Sequence, residues 1–124
     1  MYAVGIDIGG TKIAAALVNA QGETLHEIRV PSAPQDGTDA LITRAAQAAQ
    51  TLITRADAPV IGVGVGCPGV IDAERGVVLQ AVNLGWRDVA LADGLRAHLG
   101  GLPVHVRHDV NALAHGERVF GAGR

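Results

Sequence analysis

Asp7-Ile8-Gly9-Gly10-Thr11-Lys12 gathers a carboxylate, two glycines, a hydroxyl and an ammonium into six residues near the start of the chain. Each type has a use in holding phosphate. Glycines at 9 and 10 let backbone N–H groups approach phosphate oxygens closely, Thr11 offers a hydroxyl donor and Lys12 a point charge, while Asp7 can hold Mg²⁺ through water. The spacing G-x-x-x-x-G-K-[ST] is absent, so this is not a Walker-type loop. An ordinary Gly-Gly hairpin turn is the competing reading. A second cluster, Gly64-Val65-Gly66-Cys67-Pro68-Gly69, satisfies G-x-G-x-x-G, but Pro68-Gly69 and Gly76 leave no room for the helix that a dinucleotide fingerprint opens into. Asp109 ends the apolar stretch at 104–108. A carboxylate there can take the proton of an attacking hydroxyl, or it can cap a helix beginning at Asn111.

Positioning these groups requires strands and helices whose signals are strong. Residues 3–8 and 13–18 are apolar stretches flanking the first glycine loop, which therefore reads as a hairpin. A turn at 19–22 leads into a third, alternating strand at 24–30, which Pro31, Pro34 and Gly37 end. Thr38 or Asp36 is the expected cap of a helix running to about Arg55, with Leu41, Ala45, Ala48 and Leu52 on one face and Ile42, Ala49 and Ile53 widening it. Residues 60–66 form a continuous apolar run, the pattern of a parallel strand buried on both faces. A short excursion at 77–82, a helix at 90–99 closed by Gly100-Gly101, a strand at 104–108 and a helix at 111–120 complete the pass. The reading is one α/β domain over residues 1–124, a mixed sheet of order βββαβαβα with flanking helices.

Composition narrows the function classes. Nearly half the chain is apolar, enough for one core, and the net charge of -2 is spread along the sequence, so no nucleic-acid footprint is expected. Tyr2, Trp86 and Phe120 are the only aromatic residues, too few for base-stacking platforms. No apolar run reaches the roughly 20 residues of a membrane span, and no basic segment precedes an apolar one at the start, so the expectation is a cytoplasmic protein with no membrane partner. Cys67 is the single cysteine and reads as a small packed thiol. Histidines 26, 98, 105, 108 and 115 lack metal-ligand spacing.

Four motifs taken in order carry a resemblance: D-I-G-G-T-K at 7–12, G-x-G-x-P-G-x-x-D at 64–72, N-L-x-W at 83–86 and D-x-N-x-x-A-x-G-E at 109–117. Together they resemble the ROK-family sugar kinases over the whole chain. The element order likewise resembles the ribonuclease-H-like lobe shared by actin-like ATPases. The resemblance implies ATP-dependent phosphorylation of a hexose or N-acetylhexosamine, as in glucokinases. It implies that Gly9, Gly10, Thr11 and Lys12 bind ATP phosphates, that Asp7 serves Mg²⁺ through water, that Gly69, Asn83, His108 and Asp109 lie at the sugar, and that Asp109 is the catalytic base.

Two departures qualify what the resemblance implies. The family usually places Asn before the catalytic Asp as a sugar-hydroxyl ligand, and this sequence has His108, which leaves sugar choice and activity open alongside a plain packed or surface histidine. Family members also continue into a second lobe bearing adenine contacts, further sugar ligands and a structural zinc site. The expectation is therefore an N-terminal lobe, as a truncation, a split gene or an isolated segment, with little activity alone; its expected partners are a second copy in a homodimer or a separate C-terminal lobe that complements it. The competing readings are a non-catalytic remnant and a sugar-responsive transcriptional regulator, the latter weakened because family regulators resemble the kinases but carry a helix-turn-helix ahead of the loop.

Overall fold

Period-two alternation splits the first hairpin between two environments. In β1 (Tyr2–Ile8) and β2 (Lys12–Val18) the antiparallel pairs Val4–Leu17, Ile6–Ala15 and Ile8–Ile13 join the main core, whereas Ala3, Gly5 and Asp7 face the other way opposite Val18, Ala16 and Ala14. One face is aliphatic and the other is small. The computed structural model describes residues 1–108, so Asp109 and the expected helix at 111–120 lie outside the described residues.

β3 (Thr24–Pro31) pairs antiparallel with β2 and forms one edge of a five-stranded sheet of order β3-β2-β1-β4-β8, with β4 over Val60–Cys67 and β8 over Val104–His108. Its residues are mostly exposed, and the Glu27–Arg29 ion pair at 2.7 Å helps make that edge unattractive to other strands. α1 (Thr38–Arg55) packs on β1, β2 and β3 through Leu41, Ile42, Ala45, Ala46, Ala48, Ala49 and Leu52. The alanines let the helix approach the sheet closely. The expected side-chain cap is corrected: Gly37, at φ 104°, is the capping residue and makes no side-chain bond, Thr38 is already helical, and Asp36 closes a one-turn 3₁₀ helix (Pro34–Asp36) and pairs with Arg44.

β4 (Val60–Cys67) runs parallel to β1 on one side and to β8 (Val104–His108) on the other, as its unbroken apolar run predicts. Its alternation matches that of β1. Val63 and Val65 pair with Val4 and Ile6 on the aliphatic face, and Gly64 and Gly66 pair with Gly5 and Asp7 on the small one. The G-x-G spacing is thus strand periodicity and no dinucleotide turn.

The segment between β4 and β8 holds more structure than an excursion. β5 (Val70–Asp72), β6 (Val77–Ala81) and β7 (Trp86–Val89) form a second, antiparallel three-stranded sheet in that order. α2 (Leu91–Arg96) is shorter than the span 90–99 the sequence suggests, because the chain tightens into turns after it, with Gly100 and Gly101 both at positive φ. It buries Leu91, Ala92 and Leu95 against β8, β6 and α1. Leu41 is fully buried where α1 meets the sheet. Its truncation, Leu41→Ala, is expected to cost about 2–5 kcal/mol in urea unfolding, against about 0.5 kcal/mol or less for Leu25→Ala on the exposed edge strand.

Candidate functional site

Because β1, β4 and β8 are parallel, their carboxyl ends lie on one side of the sheet, and the registers Asp7–Gly66 and Cys67–His108 set those ends level. Open α/β sheets bind ligands there. Immediately beyond β1 the chain turns back, and the Gly9 N–H donates to the Lys12 carbonyl at 2.9 Å to close the turn. Ile8 and Ile13 pin both limbs in the core, leaving Gly10, Thr11 and Lys12 exposed between them.

A cavity of about 340 Å³ opens at this end, lined by Asp7, Gly9 and Lys12 of the hairpin, Arg29 of β3, and Gly66 and Pro68 at the end of β4. Gly66 contributes no side chain opposite Asp7, so space remains beside the carboxylate. Two cations and one acid share the walls, a balance that suits a polyanion carrying a divalent ion. Among the described residues no cluster of three or more His, Cys, Asp or Glu side chains could hold a metal by itself. Mg²⁺ needs no such cluster, since one or two carboxylates with waters and phosphate oxygens suffice, and Asp7 fits that part.

Of the residues expected at the sugar, Gly69 and His108 touch, and Asn83 follows the strand on which Gly69 packs. The His108 Nδ1 lies 2.6 Å from the Gly69 carbonyl oxygen. Since that oxygen only accepts, Nδ1 carries the proton and Nε2 remains an acceptor. Gly69 sits at φ 101°, and a Cβ there would fall 2.0 Å from the Gln80 carbonyl oxygen, so the turn packs directly on β6. β6 runs straight into the 3₁₀ turn Val82–Leu84, where exposed Asn83 stands against the hairpin: a Cβ on Gly10 would lie 3.5 Å from that of Asn83. Asp7, Gly9 and Lys12 thus share the cavity, Gly10 lies beside Asn83 and Gly69 bonds to His108, whereas Thr11 faces a separate hollow of about 330 Å³ with Lys12, Arg29, Val30 and Pro31. Asp109 follows His108 in sequence but lies outside the described residues.

Arg29 is the lining residue that sequence reading missed. The alternation of β3 was visible, and with the β2–β3 register it puts Arg29 opposite Ala14 on the same face as Asp7; the register itself was the missing information. Cys67 matches its expectation as a packed thiol, buried in the core cluster, and burial pushes its pKa up to about 12.

Two measurements follow from this geometry. Gly69→Ala meets both a backbone clash and a left-handed φ, and is expected to destabilise by at least about 2 kcal/mol in urea unfolding, while Gly10→Ala, with only van der Waals contact ahead of it, stays within about 1 kcal/mol. The Cys67 thiol is expected to resist an aromatic disulfide reagent at pH 8 until denaturant is added. Its raised pKa means the unfolded chain loses the proton first, so stability falls as pH climbs from about 9 toward about 12. Equal stability of Cys67→Ala and the parent chain across that window, with both declining together, would remove the thiol as the cause.

Comparisons with known proteins agree with this fold. The ROK family model matches residues 3–124. The glucokinase of Halalkalibacterium halodurans is 38% identical over 123 residues, covering 97% of this chain and 37% of that protein. A ROK family glucokinase from Streptomyces griseus, solved in complex with glucose and AMPPNP, has a TM-score of 0.81 at 38% identity over 100% of this chain and 38% of that one. The xylose repressor of Bacillus subtilis is 32% identical over 126 residues, covering 99% of this chain and 32% of that protein. The chain thus spans between about a third and two-fifths of the length of these relatives. Its α/β mixed sheet with flanking helices is that of ROK sugar kinase structures, of the actin-like ATPase type. On a family match that runs nearly end to end, the chain belongs to the ROK family.

Proposed function

We propose that the chain is the N-terminal lobe of a kinase that transfers a phosphoryl group from ATP to a hydroxyl of a hexose or N-acetylhexosamine, with glucose the first sugar to test. One observation carries the reading: the glycine hairpin and the Gly69–His108 pair both lie at the carboxyl ends of three parallel strands whose registers set those ends level. A donor pocket and an acceptor pocket must adjoin for in-line transfer.

In this reading Gly9 and Gly10 bring backbone N–H groups to phosphate oxygens, while Thr11 and Lys12 add a hydroxyl and a charge. Asp7 orients Mg²⁺ through water, and Arg29 adds a second positive charge to the wall. Gly69 and Asn83 hold the sugar, and the neutral His108 ring accepts a hydrogen bond from a sugar hydroxyl at Nε2 because Nδ1 is occupied by the Gly69 carbonyl. Asp109 accepts the proton of the attacking hydroxyl. Bound MgATP supplies the phosphoryl group and an ion that offsets charge on its oxygens.

A purified chain of residues 1–124 is expected to show little ADP release with glucose and ATP, since closure of two lobes excludes water and aligns the hydroxyl. Robust glucose-dependent release that disappears in Asp109→Ala would overturn that expectation. In a form of the protein that is active, Asp109→Ala is expected to lower kcat about 10²- to 10⁴-fold.

The likeness to xylose repressors over 99% of the chain favours a second reading, a sugar-responsive regulator that binds sugar without transferring phosphate. Thermal midpoints separate the two, because a ligand bound only by the folded state raises them. The kinase reading expects separate rises with MgATP and with hexose, the first abolished by Lys12→Ala together with Asp7→Asn and the second retained. A rise with hexose alone supports the regulator.

A further inference from the structure

Ser32 is the only polar or charged residue among the described ones that is fully buried, and its hydroxyl has no partner there. Its main chain accounts for its place. The Ser32 N–H donates to the Thr11 carbonyl at 3.0 Å, and the Ser32 carbonyl accepts from the Arg44 guanidinium at 2.9 Å. Arg44 belongs to α1 and uses its other terminal nitrogen on the Asp36 carboxylate.

The bond to Thr11 matters because of what precedes it. The β2–β3 ladder ends at the pair Lys12–Pro31, and proline has no N–H to give. Ser32 therefore supplies the next donor on the β3 side, one step beyond the ladder and onto the glycine turn itself. On the opposite side the turn is closed by Gly9 and Lys12. Thr11 is otherwise exposed, at the tip of a Gly-Gly turn whose residues have wide conformational freedom.

We propose that Arg44 is a positioning residue for the phosphate loop: by holding the Ser32 carbonyl and Asp36 against α1, it keeps the Ser32 N–H on Thr11 and fixes the shape of Gly9–Lys12. This rests on the reading of that loop as the phosphate site. The helix that packs the core thereby sets the geometry of a turn it does not reach, and no group of Arg44 touches the ligand. A preorganised loop loses less freedom on binding, so the brace raises nucleotide affinity without adding a contact.

Amide exchange and calorimetric titration of the whole chain test this. Arg44→Ala is expected to speed exchange at the Ser32 amide about tenfold or more while the Ile6 amide in β1 holds its rate. Affinity for MgATP is expected to fall about fivefold to tenfold with glucose affinity unchanged. Arg44→Lys, whose ammonium can still reach the Ser32 carbonyl, recovers part of both effects. Asp36→Ala, which spares that contact, gives the smaller change. Unchanged exchange at Ser32 overturns the brace, as does an equal change at Ser32 and Ile6 with both ligands weakened alike, which marks general loosening. If the parent chain binds no MgATP, the phosphate reading of the loop fails and the role of Arg44 in nucleotide affinity fails with it; a Ser32 amide that still responds to Arg44→Ala distinguishes that failure from failure of the brace.

Discussion

The insertion of β4 between β1 and β8, parallel to both, is the constraint on which the site depends. Parallel pairing brings three carboxyl ends to one side of the sheet, and each end delivers a different group: the glycine hairpin after β1, the Pro68-Gly69 turn after β4 and His108 on β8. An antiparallel β4 would send its turn to the far edge. Parallel strands need crossover connections, and here these are α1 before β4 and the small sheet with α2 before β8. The helices that cover the aliphatic face are thus also what makes the convergence at the other end achievable.

Glycine serves three separate purposes in the site. Gly64 and Gly66 keep one face of β4 thin where it passes Gly5 and Asp7, so that open space remains beside the carboxylate. Gly69 lets the turn lie directly on the β6 backbone, which carries Asn83 toward the hairpin. Gly9 lets the Lys12 carbonyl close in on the hairpin bend, where an added Cβ would lie 3.3 Å from that oxygen. In a chain so poor in aromatic residues, close backbone approach replaces large side chains as the means of bringing groups together.

Much of this was legible in the sequence because it rests on short-range patterns. The alternation of the first three strands, the apolar run of β4 and the face of α1 all report burial directly, and the elements form where those patterns place them. The small sheet was less legible: β5 has three residues and β7 four, and Asp72, Arg87 and Asp88 interrupt any apolar period. The shortened α2 reflects turns after Arg96 that glycines at 100 and 101 permit but no residue pattern at 97–99 announces. The cap of α1 failed as an expectation because the Asp36 carboxylate is drawn to Arg44, eight residues along, in preference to the helix start. Arg29 was invisible as a site residue for a different reason, since only the register of β2 with β3 decides which face it takes.

The two halves of the site have nearly independent supports. The hairpin is held by β1, β2 and Ser32, whereas Gly69 and His108 are held by β4, β6 and β8. Gly10 and Asn83 meet between them, near enough that a Cβ added to Gly10 would lie 3.5 Å from that of Asn83. Substitutions that remove the charge of the hairpin would therefore leave the packing around Gly69 and His108 in place. A scaffold divided in this way lets one half change while the other keeps its packing, and the chain's relatives include proteins named glucokinase and others named xylose repressor.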